Sequence, residues 1–190
     1  MNIHEHLLFL QAFLNNPKRV GSLLPSSRYL ATKIVQFVPW DEVKSVAELG
    51  SGTGVITQLI KTQLTDSNNV FLFERDKKLR ESLKVKYPDY MFHSNASYLI
   101  KKMKQENINQ LDCIICGLPF FNFSSKMRTH ILDQIVKALK PGGILVAYQY
   151  SLQMKKKYAN HLIIEKIEFI PYSFPPTFVY VCRKSYFHKN

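Results

Sequence analysis

Acidic side chains are scarce in this chain: 14 aspartates and glutamates stand against 26 lysines and arginines, leaving a formal charge of +12 over 190 residues. That imbalance calls for an anionic partner, either nucleic acid or an acidic membrane surface. Cysteine is scarcer still. Cys113, Cys116 and Cys182 are isolated and odd in number, which suits reduced, buried thiols in a cytosolic protein rather than a disulfide framework or a zinc site. No stretch is apolar enough to span a bilayer, and the N-terminus lacks the charged, apolar and small-residue succession of a signal peptide. A cytoplasmic protein is expected, soluble or peripheral to the inner face of the membrane. The few histidines are scattered, so neither a Ser-His-Asp nor a Cys-His set is found, and no metal-ligand spacing occurs. Repeats, low-complexity tracts and linkers are also absent, and 190 residues suit one domain with a proper core.

Glycine numbers only seven, yet Gly50, Gly52 and Gly54 fall within five residues, in Ala47-Glu48-Leu49-Gly50-Ser51-Gly52-Thr53-Gly54. The apolar run around Val43 to Val46 precedes this stretch as a strand, and Val55 to Lys61 follows it as a helix. A strand leading through glycines into a helix brings backbone N–H groups against a charged ligand. Glycine serves there because a Cβ would block the approach and because tight turns need positive φ. A second apolar run, Val70 to Phe73, ends in Glu74, at the spacing of roughly 20 residues where an acid accepts from ribose hydroxyls.

These residues resemble the S-adenosylmethionine-dependent methyltransferases with a Rossmann-like fold. The resemblance implies an α/β domain with a seven-stranded, mostly parallel sheet, its last strand antiparallel, and helices on both faces. It also implies S-adenosyl-L-methionine as cofactor, with the glycine turn under the methionine part and Glu74 on the ribose. Glu48, Gly50, Ser51, Gly52, Thr53 and Gly54 are the expected turn contacts, with Arg75 beside Glu74. Asn95 and Ala96, beyond a short strand Tyr90 to His93, take the place where the family commonly has an Asp and a small residue beside the adenine ring. The Asn95 amide oxygen still offers an acceptor for the adenine amino group.

Residues 1–16 carry Ile3, Leu7, Leu10 and Leu14 at helical spacing beside Phe9 and Phe13, with Lys18 and Arg19 just beyond Pro17. A wide apolar arc next to cations suits an interfacial helix, and it equally suits a helix docked on the domain's own core. Pro25 and Ser26 mark a second helix start, with Ser26 as N-cap. That N-terminus, with Ser27 and flanked by Arg19 and Arg28, has the elements of a phosphate site. The segment PKRVGSLLPSSRYLA ahead of the glycine motif is similar to bacterial phospholipid N-methyltransferases, which act on phosphatidylethanolamine. The expected organisation is an N-terminal helical, membrane-facing segment over 1–40 and a methyltransferase domain over 41–190.

Leu111 to Cys116 is a nearly continuous apolar run, as a central parallel strand requires. It ends in Gly117-Leu118-Pro119-Phe120. Methyltransferases of exocyclic base amines carry Asn or Asp, one residue, then Pro and an aromatic at this place. Gly117 removes that polar side chain, whereas a Gly-Leu-Pro turn resembles the phospholipid enzymes. Gly117 and Leu118 are expected at the cofactor, and Pro119, Phe120 and Tyr148 at the acceptor. The helix Ser124 to Leu139, the turn Pro141-Gly142-Gly143 and a strand Ile144 to Tyr150 follow. Alternation brings Ile144, Val146, Tyr148 and Tyr150 to one face. Tyr150 is then near the reaction centre as the candidate proton-transfer residue, and Phe120, Tyr148, Tyr150, Tyr172 and Phe174 are candidates for cradling a methylated ammonium. Leu162 to Phe169 and Thr177 to Cys182 read as a closing pair of strands.

Three readings remain at this point. A phospholipid N-methyltransferase at an anionic membrane accounts for the N-terminal helix, the Gly-Leu-Pro turn and the charge together. An RNA or DNA adenine N-methyltransferase accounts for the charge and Pro119-Phe120 but not for Gly117. A cofactor-binding membrane module without turnover is the third.

Overall fold

A computed structural model describes residues 25–65, 68–173 and 175–186. The interfacial segment expected over residues 1–16, together with Arg19 and Phe174, lies outside them. Seven strands form one sheet: β1 (Ser45–Leu49), β2 (Asn69–Phe73), β3 (Met91–His93), β4 (Leu111–Cys116), β5 (Leu139–Gln149), β6 (Ile163–Ile170) and β7 (Thr177–Arg183). Their order is β3-β2-β1-β4-β5-β7-β6. β1 to β5 run parallel, and β7 inserts antiparallel between β5 and β6. This is the Rossmann-like methyltransferase sheet implied by the glycine motif.

Among the described residues six helices cover it: α1 (Pro25–Gln36), α2 (Val55–Gln63), α3 (Lys77–Lys86), α4 (Leu99–Gln105), α5 (Ser125–Ala138) and α6 (Lys155–His161). Strand alternation divides the core in two. Val46, Val70, Leu72, Cys113, Ile115, Ile144 and Val146 face α1 and α2, which supply Ala31, Ile34, Val35, Ile56 and Ile60. Ala47, Leu49, Phe71, Phe73, Ile114, Cys116, Leu145 and Ala147 face α4, α5 and α6. All three cysteines are buried and free. α1 packs against α2 and into this core. Among the described residues no helix is long and apolar enough to cross a membrane.

Several boundaries differ from the sequence reading for local reasons. The first strand begins at Ser45 rather than Val43 and runs through Glu48, whose buried carboxyl is bonded by the Thr57 hydroxyl of α2. Pro141-Gly142-Gly143 does not interrupt β5. Leu111 pairs with Leu139 but Cys113 with Ile144, so the extra residues form an irregularity within the strand. α1 starts at Pro25, placing Ser26 inside its first turn rather than at the cap. α5 stops at Ala138, and Ser124 caps it by accepting from Met127 N at 3.3 Å. β5 ends at Gln149, so Tyr150 lies one residue past the strand.

Beneath the sheet, at the start of β4, Asp112 Oδ2 accepts from Lys44 N (2.9 Å), Ser45 N (2.8 Å) and Ser45 Oγ (2.8 Å). Lys140 makes an ion pair with its other oxygen. One carboxylate thus fastens β1, β4 and β5 at the end opposite the glycine turn.

Candidate active site

The turn after β1 holds three left-handed residues in five, with φ of +89° at Gly50, +55° at Gly52 and +84° at Gly54. Any side chain is disfavoured at those angles. A Cβ on Gly54 would also meet Leu83 Cδ2 of α3 at 2.5 Å. Gly50 N and Ser51 N donate to Phe73 O at 2.8 and 3.1 Å, which ties the turn to the tip of β2. Glu74, the next residue, closes the ring of contacts. Its Oε2 accepts from Gly52 N and its Oε1 from Asp76 N, each at 2.7 Å. An ionised carboxylate has about four acceptor sites, so lone pairs remain for two hydroxyls of a ligand.

Two observations test whether this turn fits a nucleoside cofactor. The side-chain direction at Gly52 is open, with no atom within 4 Å of where a Cβ would stand. Ser51 Oγ is buried without a hydrogen-bond partner among the described residues, and orphaned buried hydroxyls are rare enough to ask for a missing partner. Space and an unsatisfied polar group together fit a hydrogen-bonding ligand on the turn. Thr53 and Arg75 are exposed at its rim.

Glu48 points to the α1–α2 face and is 2 % exposed. Its Oε2 accepts from Thr57 Oγ1 of α2 at 2.6 Å. Burial pushes the carboxyl up to about 8, the Thr57 bond opposes this, and nearby Glu74 adds to it. Beyond β3, Asn95 is exposed and its Oδ1 accepts from Ser97 N at 2.9 Å, so the amide caps the turn Ala96–Tyr98. Its oxygen keeps a second lone pair, and Ala96 beside it is buried.

The tip of β4 meets the glycine turn directly. Gly117 N donates to Leu49 O at 2.9 Å, and a Cβ on Gly50 would lie 3.4 Å from Leu118 Cδ2 and 3.5 Å from Gly117 C. Residues 117–121 are then fixed through their carbonyls. Gln149 Nε2 donates to Leu118 O at 3.0 Å, and Arg128 of α5 donates to Phe120 O at 2.8 Å and Phe121 O at 3.3 Å. Phe120 is 0 % exposed and meets Phe123 and Tyr158 edge-on at 5.9 and 6.4 Å. That ring is a pillar beneath the turn. The half-buried aromatic here is Phe121, edge-on to Tyr150 at 6.2 Å, while Pro119 is half-buried between.

Tyr148 sits over Gly117. A Cβ on Gly117 would stand 1.9 Å from Tyr148 Oη and 2.3 Å from Cζ, so any larger residue there would displace this ring. Burial first, then the proximity of Glu48, raises the Tyr148 phenol far above its usual value, and burial raises Tyr150 to about 12. Both are neutral hydroxyls at physiological pH, suited to accept or donate a hydrogen bond rather than to act as phenolates.

The structure therefore brings together Glu48, the glycine turn, Glu74, Gly117 to Pro119, Tyr148 and Tyr150 at the strand tips, where ligands of such sheets bind. Arg28 is exposed on α1, and Tyr172 is 80 % exposed on the loop before β7. Thr57, Phe121, Arg128 and Gln149 escaped the sequence reading. Only Thr57 had a local signal, nine residues after Glu48 on the helix that follows the glycine turn.

Comparison with known proteins agrees with this fold. A family model described as methyltransferase small domain matches residues 25–167. The ornithine lipid N-methyltransferase of Singulisphaera acidiphila is 26 % identical over 187 residues, spanning 94 % of this chain and 96 % of that protein. Among solved structures, the N-methyltransferase NodS of Bradyrhizobium japonicum WM9 superposes with a TM-score of 0.68 at 11 % identity, covering 87 % of this chain and 99 % of NodS. Its complex with S-adenosyl-L-homocysteine gives 0.68 at 12 % identity, covering 89 % and 92 %. TrmN of Thermus thermophilus gives 0.65 at 18 % identity over 86 % of this chain and 51 % of TrmN. At such identities these structures speak for the fold.

Proposed function

We propose that this chain, which belongs to the methyltransferase small domain family, transfers methyl groups to the amine of a phospholipid headgroup at an anionic membrane surface. The enzyme is an S-adenosylmethionine-dependent methyltransferase. The cofactor supplies an electrophilic methyl on a sulfonium. Glu74 and the Gly50–Gly54 turn would hold its ribose and methionine parts, with Asn95 and Ala96 at the adenine. The chain's own task is alignment: an acceptor nitrogen has to present its lone pair in line with the methyl, in a site from which water is excluded.

The observation that carries the lipid reading is the likeness to an ornithine lipid N-methyltransferase over 94 % of this chain and 96 % of that protein. The charge of +12 supports it, as do the exposed Lys101, Lys104 and Lys126 along α4 and α5. The relative's lipid offers an amino-acid amine, which is the second acceptor to test beside phosphatidylethanolamine. Arg19, Ser26, Ser27 and Arg28 are proposed to meet the lipid phosphate, and residues 1–16 to lie in the interface.

Radiolabelled methyl transfer into total lipid and total RNA separates the classes. Label in lipid alone is expected, and label in RNA alone ends the lipid reading. Sedimentation with anionic vesicles is expected to weaken when residues 1–16 are deleted. Tight cofactor binding with no transfer to either pool would favour the binding module.

A further inference from the structure

Gly117 stands where base-amine methyltransferases carry an Asn or Asp, and the polar side chain is missing. The space is not. Tyr148 Oη lies 1.9 Å from the position that a Cβ of residue 117 would take, so a hydroxyl from β5 stands where the side chain of β4 would begin. We infer that Tyr148 supplies, from the neighbouring strand, the acceptor that residue 117 lacks, and that its hydroxyl binds an N–H of the substrate amine at the tip of β4. The inference rests on the methyltransferase reading and not on the lipid class of the acceptor.

Three further observations support it. Tyr148 is half-buried, packed on the edge of the α1–α2 core with its hydroxyl end against Gly117. Gly117 N is fixed to Leu49 O at 2.9 Å and Gln149 fixes Leu118 O, so the hydroxyl is held against a rigid turn. Gly50 packs on Gly117, which places this hydroxyl next to the cofactor turn. Tyr150, by contrast, lies beyond β5 against Phe121.

The chemistry is balanced as follows. A neutral amine donates one N–H to Tyr148 Oη and directs its lone pair at the methyl carbon. The N–C bond forms as the C–S bond breaks onto sulfur, and the resulting ammonium later gives a proton to water. As positive charge develops on nitrogen its N–H becomes a stronger donor, so the bond to Tyr148 tightens towards the transition state. A primary or secondary amine has the N–H this requires. A neutral tertiary amine has none.

The test compares wild type with Tyr148→Phe, which keeps the ring on Gly117. Probes are vesicles of phosphatidylglycerol doped with phosphatidylethanolamine, its monomethyl form or its dimethyl form. The expected result is a kcat loss of about 10- to 100-fold on the first two, little change in KM, no loss on the dimethyl form, and unchanged S-adenosylhomocysteine affinity. An equal loss on every acceptor, or none on any, overturns the inference. A wild type active on RNA but not on vesicles ends the lipid reading alone, and the Tyr148→Phe comparison is then made on the RNA amine. Three further variants test the geometry without relying on that hydroxyl. Gly117→Ala is expected to lower the melting temperature, and Tyr148→Ala is expected to relieve it in the double variant. Gly117→Asn with Tyr148→Ala returns a carbonyl acceptor to the vacated space, and is expected to exceed Gly117→Ala with Tyr148→Ala at least about tenfold in methyl transfer. Parity between those two doubles refutes the inference.

Discussion

Glu48 Oε2 accepts a hydrogen bond from Thr57 Oγ1 at 2.6 Å, joining the strand that enters the glycine turn to the helix that leaves it. The carboxyl is buried, and burial lifts it to about 8. In the folded chain it therefore keeps its proton at pH values where the unfolded chain has lost it. Stability of the ligand-free protein is expected to fall as pH rises from about 4 towards that folded value, then to level off. Glu48→Gln is expected to flatten this window and raise the denaturation midpoint at neutral pH. Equal slopes for wild type and variant would dispose of the assignment.

Asp112 has the opposite sign. Burial alone would raise it, but Lys140, the Lys44 and Ser45 N–H groups and the Ser45 hydroxyl together hold it below the usual carboxylate range. Its contribution is complete above the unfolded-state value and is lost as pH falls through the lowered folded value. Asp112→Asn is expected to cost about 1–3 kcal/mol at neutral pH, and to lose less further stability on acidification than wild type. Urea titrations at neutral and acid pH measure both effects.

Glu74 holds Gly52 N and Asp76 N at once. Glu74→Gln keeps the shape but replaces one acceptor oxygen by a donor and removes the charge. Affinity for S-adenosylhomocysteine, measured by calorimetry, is expected to fall about 10- to 100-fold. An unchanged affinity would remove Glu74 from the cofactor site.

Arg128 is expected to matter through the turn it holds. Arg128→Ala frees the carbonyls of Phe120 and Phe121 and is predicted to reduce kcat about tenfold. Cofactor affinity should stay near wild type, since the glycine turn is fastened separately to Phe73 O. Loss of both in proportion would mark a general folding defect instead.

What the sequence disclosed, and what it withheld, follows from range. The glycine turn and Glu74 were legible because their residues are close in the chain and their chemistry constrains residue type. The order of elements was legible from period and punctuation. Tyr148 over Gly117 depends instead on the register between β4 and β5, which the irregularity at Leu111 and Cys113 sets; no local pattern carries that. Phe120 and Phe121 are equivalent on paper, and only the turn decides which ring enters the core. Arg128 and Gln149 grip main-chain carbonyls, an interaction that leaves no mark on the residue gripped.

That last point reaches beyond this chain. Because the clamps on residues 117–121 bind oxygens that every amino acid possesses, Pro119 and Phe121, unlike Gly117 under Tyr148 and the buried Phe120, are released from most of the duty of holding the turn. They can be exchanged while the platform stays put. A scaffold arranged this way can be retuned from one acceptor to another by a few substitutions, without first finding a new way to fold.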